Sequence, residues 1–239
     1  MSFGIISLNI VPVRRESNAK SEMINQLFFG ETIRVIKFLK KWSKIRSNID
    51  NYEGWIRNLH FMKISSKENK SLSKNKVFSN SEILVNGSEN QIIIPTGSLI
   101  NNLKFLNYTN NNVEEKKSTL NVALSFLNSP YLWGGKTKFG TDCSGFTQSV
   151  FKTRNIILPR DASDQVKEGV NIKNDWKSLD LAFFGDNKKN ISHVGMLIGN
   201  NKIIHAYGKV RIDKLDEKGI FNEEENRITH FLQIIKRIN

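Results

Sequence analysis

The 239-residue sequence contains only one cysteine, four prolines and four histidines. A single cysteine cannot form an intramolecular disulfide, so nothing in the chain requires an oxidising compartment. No apolar run approaches the roughly 20 residues that a membrane-spanning helix needs, and we expect no membrane partner. The opening stretch MSFGIISLNIVPVRR alternates apolar and polar residues before its arginines, which indicates a strand rather than a signal peptide. If Met1 is the native start, the sequence predicts a cytoplasmic protein.

Positive charge predominates, but the basic residues are not clustered in the sequence. Thirty-six lysines and arginines against 23 acidic residues give a formal net charge of +13. Clustered positive charge attracts phosphate. Here the lysines are scattered among asparagines and isoleucines, with no basic helix, no recognised nucleic-acid motif and no regular aromatic interleaving. We therefore expect no nucleic-acid partner.

Three segments differ in pattern. Residues 1–64 are rich in β-branched and aromatic residues separated by glycine and asparagine, which predicts a small all-β barrel with a brief helical turn in KSEMINQLFFGE (residues 20–31). Residues 65–76, SSKENKSLSKNK, have the composition of a loop. Strand character resumes in EILVNGSENQIIIPTGSLI (residues 82–100), so residues 65–112 are predicted to hold a linker and a second, shorter β unit.

Residues 113–239 are predicted to contain helices first and then an antiparallel sheet, an α+β order. Leu120, Ala123, Leu124 and Leu127 share one helical face, and a second helical pattern begins at Cys143. From residue 179 onward the pattern returns to strands. A thiol at a helix N-terminus lies beside unpaired N–H groups, so we expect its pKa to fall below the usual value of about 8.5.

The lone cysteine lies in FGTDCSGF (residues 139–146) and has two interpretations. A free cysteine is most often a buried small hydrophobe. A nucleophilic cysteine instead needs a base and a third group that holds the base. His193 and His205 flank one predicted hairpin and are the candidates. Because side chains alternate along a strand, a two-residue turn in regular register would place them on opposite faces, so an odd loop or a bulge is required.

Five segments in order carry a family resemblance: YLWGGKTKFGTDCSGF, LPRDASDQ, DLAFFGD, SHVGMLIG and IIHAYGKVRID. Residues 113–239 resemble the NlpC/P60 family of cell-wall peptidases. The resemblance implies a papain-like cysteine peptidase domain that uses no metal and no cofactor. Cys143 would be the nucleophile, His193 the general base and His205 the residue that orients the base. Tyr131, together with the Cys143 backbone N–H, would stabilise the oxyanion.

The N-terminal segment resembles a bacterial SH3 domain through VPVR, QLFFGE, Trp42 and YEGWI, and the middle segment resembles a second, degenerate one. The implied architecture is two small SH3-like barrels followed by the peptidase domain. This arrangement is similar to cytoplasmic murein-peptide endopeptidases that recycle wall fragments. The resemblance implies cleavage between γ-D-glutamate and a diamino acid in murein peptides that begin with a free L-alanine, so the expected partner is such a peptide.

The same resemblance assigns six residues to substrate binding: Trp133, Asp142, Ser144, Glu22, Tyr52 and Ser163. For Asp142 the alternative is a cap on the helix that Cys143 begins. Packing in the core is the alternative for both Tyr131 and Trp133. The residues alone indicate a solvated charge at Glu22 and a half-buried aromatic at Tyr52.

Two other functions are open to this sequence. A non-catalytic SH3-type wall-binding protein would lack a catalytic residue, whereas Cys143, His193 and His205 are all present. An amide or acyl transferase on the same fold would place its histidine before its cysteine, whereas here the cysteine comes first. Both observations favour the peptidase.

Overall fold

The computed structural model describes residues 2–110, 117–188 and 190–238. The chain divides into two compact units, of which unit 1 is Met1–Lys117 with Phe151–Ile157 and unit 2 is Ser118–Val150 with Leu158–Asn239. The boundary predicted between residues 112 and 113 lies outside the described residues. Within the described ranges, no helix is both long and apolar enough to cross a membrane.

Unit 1 is built on seven short strands, as the β-branched N-terminal sequence predicts. They are β1 (Ser2–Ile5), β2 (Ile10–Arg14), β3 (Met23–Phe28), β4 (Thr32–Phe38), β5 (Trp42–Ser47), β6 (Glu53–Arg57) and β7 (Met62–Ile64). They form one antiparallel sheet in the order β3-β2-β6-β5-β4-β1-β7. Alternate residues of β2, Val11 and Val13, enter a core that they share with Leu27, Ile33, Ile45 and Ile56.

The prediction of a helical turn within residues 20–31 is wrong. That stretch contains β3, whose residues Asn25 to Phe28 are all buried and pair with β2. Local sequence there fits either structure, and the ladder to β2 selects the strand because it satisfies the backbone groups that burial removes from water.

Residues 65–110 do not form the expected second barrel. The predicted loop begins with helix α1 (Ser66–Leu72), closed at its start by a capping box between Ser65 and Glu68. It is followed by hairpin β8 (Ile83–Asn86) and β9 (Gln91–Ile94), the only sheet formed within the described residues of this segment. Ile83, Val85 and Ile94 pack against Ile5 and Phe29, so the hairpin completes the core of unit 1.

Unit 2 places its helices before its main sheet, which confirms the α+β expectation. The helices are α2 (Thr119–Leu124), α3 (Cys143–Lys152), whose last two residues are counted with unit 1, and α4 (Ala162–Gln165). Strand β10 (Lys136–Thr137) pairs with β11 (Gly140–Thr141) just before α3. Helix α2 ends earlier than predicted, at Leu124, so Leu127 lies beyond it and is partly exposed.

The main sheet of unit 2 has seven antiparallel strands. They are β12 (Val170–Ile172), β13 (Leu181–Asn187), β14 (Asn190–Gly199), β15 (Lys202–Tyr207), β16 (Lys209–Leu215), β17 (Gly219–Asn222) and β18 (Arg227–Arg237). Their order is β12-β18-β13-β14-β15-β16-β17, and β17 also pairs with β18. The last six strands in this order therefore close into a ring, with a core formed by Ala182, Phe184, Leu197, Ile203, Leu215, Ile220 and Ile235.

Candidate active site

Cys143 is the first residue of α3, as its glycine-flanked sequence predicts, and it is 6% exposed. The turn before the helix is held by Asp142, whose carbonyl accepts from Phe146 N at 2.9 Å and whose Oδ1 accepts from Gly145 N at 2.7 Å. Gly145 is required because a Cβ there would lie 2.1 Å from the carbonyl oxygen of Gly135. Asp142 is thus the cap of the helix that presents the thiol.

The thiol lies beside the strand that carries the predicted base. The backbone N–H groups of Val194 and Ser144 are near enough to the sulfur of Cys143 to favour its thiolate and to act to lower its pKa. Val194 follows His193 on β14. The nucleophile and the base are therefore neighbours within unit 2.

The two histidines on β14 and β15 lie on one face of the sheet. Gly195 pairs directly with His205, and His193 is two residues before Gly195, so all three point to the same side. The register shifts by one residue between Leu197 and Gly199, which is the bulge that the sequence required. A Cβ on Gly195 would lie 2.9 Å from the Cβ of His205, so the glycine leaves room for that imidazole.

A line of hydrogen bonds runs back from the base. His193 Nε2 lies 2.9 Å from His205 Nδ1, and His205 Nε2 lies 2.9 Å from Asp213 Oδ2. Arg211 holds the same carboxylate with two bonds, Nε to Oδ2 at 2.7 Å and Nη2 to Oδ1 at 2.9 Å. The imidazoles are buried, and Asp213 is almost fully so.

The carboxylate fixes the tautomer of both imidazoles. Its bonds to His205 and Arg211 keep the pKa of Asp213 below its usual value despite burial, so it only accepts hydrogen bonds. His205 must then carry its proton on Nε2, which leaves Nδ1 to accept from Nε2–H of His193. The Nδ1 lone pair of His193 is left to act as a base. A buried carboxylate therefore orients a proton acceptor two side chains away.

The direction predicted for the thiol pKa is wrong. Burial, with the Asp142 carboxylate nearby, raises the pKa of Cys143 to about 11, although the Val194 N–H and the Arg160 cation act the other way. Burial also lowers the pKa of His193 well below its usual value and lowers that of His205. The Cys143 thiol and the His193 imidazole therefore both rest neutral at pH 7. The cost of removing their charged forms from water is larger than the stabilisation that the helix N-terminus gives a thiolate.

Tyr131 lies in the same unit and shares a β-bridge with Thr141, two residues before the cysteine. Burial and the neighbouring thiol raise the pKa of Tyr131 to about 12, so its hydroxyl keeps its proton and can donate. Its side chain is partly exposed. Trp133 is 57% exposed, which excludes the core-packing alternative and leaves its substrate contact as a prediction.

Asp142 and Ser144 are bound by a buried arginine. Arg160 donates from Nη1 to Asp142 Oδ1 at 3.0 Å and to Ser144 Oγ at 2.9 Å, and its Nη2 bonds Asp142 Oδ2. Gly134 N also donates to Asp142 at 2.8 Å. The charge of Asp142 is thus already balanced inside the protein, which supports the capping interpretation, and its role in binding a substrate amine stays a prediction.

With this geometry established, comparison with known proteins identifies the chain. The model of the NlpC/P60 family matches residues 128–226, and a bacterial dipeptidyl-peptidase SH3 domain matches residues 13–60. A probable endopeptidase NlpC homolog from Haemophilus influenzae is 39% identical over 145 residues, which are 55% of this chain and 76% of that protein. The chain belongs to the NlpC/P60 family of cysteine peptidases.

Other NlpC/P60 relatives agree with this assignment. The gamma-D-glutamyl-L-lysine dipeptidyl-peptidase of Bacillus subtilis is 43% identical over 101 residues, or 39% of this chain. This chain spans about a third of that protein and of the Bacillus cereus enzyme of the same name, 34% and 33%. This chain is also similar to the crystal structure of an NlpC/P60 family protein from Bacillus cereus ATCC 10987, with a TM-score of 0.75 and 20% sequence identity. The superposition covers 98% of this chain and 99% of that protein, which shows that the two share a fold.

The remaining residues that the NlpC/P60 resemblance assigned to substrate binding are not members of this line of hydrogen bonds. Glu22 forms an ion pair with Arg15, and half-buried Tyr52 precedes β6; both belong to unit 1. Ser163 is exposed on α4 in unit 2. Their roles stay predictions.

Two residues at the NlpC/P60 site, Asp213 and His230, were not predicted from the sequence. Asp213 lies at an alternating position on β16, so the pattern in KVRID contained a signal, but only the pairing of β15 with β16 brings it to His205. His230 lies on β18, outside the matched residues 128–226. Its ring stacks on that of His193 with centroids 4.1 Å apart, and Phe184 lies 5.8 Å from His193. No local sequence feature distinguishes His230 from an ordinary strand residue.

Proposed function

We propose that this protein is a cysteine endopeptidase that hydrolyses the amide bond between γ-D-glutamate and a diamino acid in murein-derived peptides with a free N-terminal L-alanine. The observation that carries the proposal is the line from Asp213 through His205 to His193, next to a thiol on a helix N-terminus. The bond specificity is supported by two relatives, 43% and 38% identical over their matched segments, that are named gamma-D-glutamyl-L-lysine dipeptidyl-peptidases.

Acylation begins from a neutral pair. Nδ1 of His193 takes the thiol proton as the sulfur of Cys143 attacks the γ-carbonyl carbon of the glutamate. The positive charge that develops on His193 is shared along the line towards the Asp213 carboxylate, which is already ionised. The carbonyl oxygen becomes an oxyanion, for which the Tyr131 hydroxyl and the Cys143 N–H are the proposed donors. The N–H of the first residue of a helix has no partner within the helix.

Collapse of this intermediate breaks the C–N bond. His193 returns the proton to the leaving amine of the diamino acid, and a thioester remains on Cys143. Water then attacks the thioester while His193 accepts one of its protons. The products are L-Ala-γ-D-Glu, the free diamino acid or the peptide it begins, and the regenerated thiol.

The free amine of the substrate is the specificity element. A dipeptidyl enzyme must recognise the end of its substrate, and pairing an ammonium with a carboxylate in a partly enclosed groove gives a strong hydrogen bond. The carboxylate of Asp142 and the hydroxyls of Ser144 and Ser163 are the proposed acceptors. Acetylation of the L-alanine should lower kcat/KM by at least about a hundredfold, equivalent to roughly 3 kcal/mol of transition-state binding.

The proposal is tested by mass spectrometry of the products from synthetic L-Ala-γ-D-Glu-L-Lys, from its meso-diaminopimelate counterpart and from the N-acetylated form of each. The free tripeptides should yield L-Ala-γ-D-Glu, and Cys143→Ala should yield nothing while keeping its circular dichroism spectrum. Equal rates on free and acetylated peptides would show an open groove that accepts internal wall peptides. No dipeptide from either tripeptide would refute the bond specificity. A role in wall recycling and a cytoplasmic location stay predictions.

A further inference from the structure

Three of the four histidines in the chain meet at one place in unit 2. One ring nitrogen from each of His193, His205 and His230 lies within 4.8 Å of the other two. The catalytic line uses His193 and His205, and His230 has no part in it. The fourth histidine, His60, lies in unit 1. We propose that this cluster binds one divalent transition-metal ion of the Zn²⁺ type, and that the bound ion switches the peptidase off.

The outer contacts of the cluster are those of a metal site. Histidines that bind metals usually donate their second ring N–H to a carboxylate or another oxygen, which fixes the ring and its tautomer. His205 Nε2 is bonded to Asp213, which leaves Nδ1 facing the cluster, and His230 Nδ1 lies 2.9 Å from Thr229 Oγ1, which leaves Nε2. His205 is thus already oriented by an oxygen partner on its far side, and Thr229 supplies such a partner for His230.

The charges around the cluster are also compatible with a metal ion. The Asp213 carboxylate lies on the far side of His205, where its Oδ2 bonds His205 Nε2. The nearby cations are balanced: Arg211 pairs with Asp213 and Glu224, and Arg227 pairs with Glu225. The surroundings therefore do not repel a dication.

Coordination requires all three rings to adjust. His193 and His205 meet almost at right angles, at 85°, with facing nitrogens 2.9 Å apart. Because Zn–N bonds are about 2.0–2.1 Å long, the ion that replaces their shared proton lies off the line between these nitrogens, and both rings tilt towards it. His230 now stacks on His193 at 29° and must rotate to point Nε2 at the same position. His230 is only half-buried, and its oxygen partner is its own chain neighbour, so this rotation does not disturb the core.

Binding would inactivate the base through its tautomer. The ion replaces the proton on His193 Nε2, and that proton moves by way of solvent to the free lone pair of Nδ1. Nδ1 is the atom that must accept the thiol proton, and once protonated it cannot. This consequence rests on the proposed peptidase function, whereas metal binding itself does not.

Co²⁺ is the probe, because its visible absorption reports coordination by nitrogen and its near-ultraviolet charge-transfer band reports coordination by a thiolate. Tag-free, metal-stripped protein is titrated as wild type, His230→Phe, His60→Phe and Cys143→Ser. The phenylalanine at 230 keeps the stack on His193 but cannot bind metal, and His60→Phe is the matched histidine control. We expect one Co²⁺ per wild-type chain without the thiolate band, and equal binding by His60→Phe and Cys143→Ser.

His230→Phe should bind Co²⁺ at least about tenfold more weakly, since even outer-shell changes cost 10–100-fold in affinity. In the tripeptide assay, Zn²⁺ should inhibit the wild type reversibly with EDTA and should inhibit His230→Phe only at correspondingly higher concentration. Absence of Co²⁺ binding would overturn the proposal. So would a thiolate band that disappears in Cys143→Ser while His230→Phe binds normally. Normal Co²⁺ binding by a protein without tripeptide hydrolysis would instead refute the proposed function and leave the metal site standing.

Discussion

Removing the carboxylate of Asp213 should impair catalysis although it contacts neither the thiol nor His193. Its Oδ2 accepts from His205 Nε2 at 2.9 Å and from Arg211 Nε at 2.7 Å. In Asp213→Ala the proton of His205 is free to move to Nδ1, where it opposes the N–H of His193. The base then loses its lone pair on the side of the thiol.

The magnitude follows from the position of Asp213 in the line. Loss of the carboxylate that directly contacts the base in a serine peptidase triad costs about 10⁴ in kcat. Asp213 is one imidazole further from the nucleophile, so that figure is an upper bound. We expect Asp213→Ala to lower kcat/KM by about 10²- to 10³-fold, or roughly 3 to 4 kcal/mol.

Asp213→Asn should be milder, and the reason lies in Arg211. A guanidinium only donates hydrogen bonds. The Oδ2 position faces two donors and the Oδ1 position faces one, so the amide oxygen of asparagine belongs at Oδ2. The tautomer of His205 then survives, whereas the negative charge and the hydrogen bond from Arg211 Nη2 are lost. A hydrogen bond to a charged group contributes about 1.5–3 kcal/mol, so the expected loss is roughly 10- to 150-fold.

The assay is kcat/KM on the free tripeptide, with thermal denaturation of each variant. Glu224→Ala is the matched control, because Glu224 also pairs with Arg211 but is exposed and lies on a different guanidinium nitrogen. Its activity should stay within about twofold of wild type, as for most surface changes. If Asp213→Ala keeps more than about a third of wild-type kcat/KM at an unchanged Tm, the line ends at His205 and the tautomer argument is refuted.

Three further outcomes follow from the same geometry. Gly195→Ala places a Cβ 2.9 Å from that of His205 and should lower both activity and stability. The free energy of unfolding in urea titrations should fall by about 1–3 kcal/mol. Unchanged values would show that β14 shifts to accept the methyl group without loss of stability. Because burial raises the pKa of Cys143 to about 11, iodoacetamide should label it more slowly than glutathione at pH 7 and faster as pH rises, and a plateau near neutral pH would indicate a resting thiolate. The pKa values of His193 and His230 are lowered in the folded protein, so the unfolded chain takes up protons first as the pH falls below about 6.5. Stability should therefore be full above that pH, and the Tm should drop towards pH 4. A Tm that does not change with pH in this range would contradict the burial of these imidazoles.

The nucleophile and its two histidines were predictable because their signals are local. Cys143 follows a capping aspartate and precedes a glycine and an apolar helical face, and these features place it at the start of α3 without any tertiary information. The alternation around His193 and His205 also showed that a bulge or an odd loop was needed to bring both to one face. The bulge between Leu197 and Gly199 confirms it.

The composition of residues 65–76 led to a wrong prediction of a loop, since the segment begins with helix α1. SSKENKSLSKNK contains almost no apolar residues, yet Ser65 and Glu68 cap a helix there, because capping depends on two positions rather than on mean composition. Ile83 and Val85 were correctly assigned to a strand. Their partners Ile5 and Phe29 come from the first sheet, so the hairpin belongs to the core of unit 1 and not to a barrel of its own.

The sequence by itself determined which residues form the nucleophile, the base and the helix cap, because Cys143, His193 and Asp142 each lie in a short contiguous motif. Only the tertiary structure decided how those groups are tuned. Asp213 and His230 reach the site through strand pairings that bring distant residues of the chain together around a closed ring of strands. The thiol pKa rises instead of falling because burial withdraws the sulfur from water, and burial is a property of packing that the eight letters FGTDCSGF do not contain.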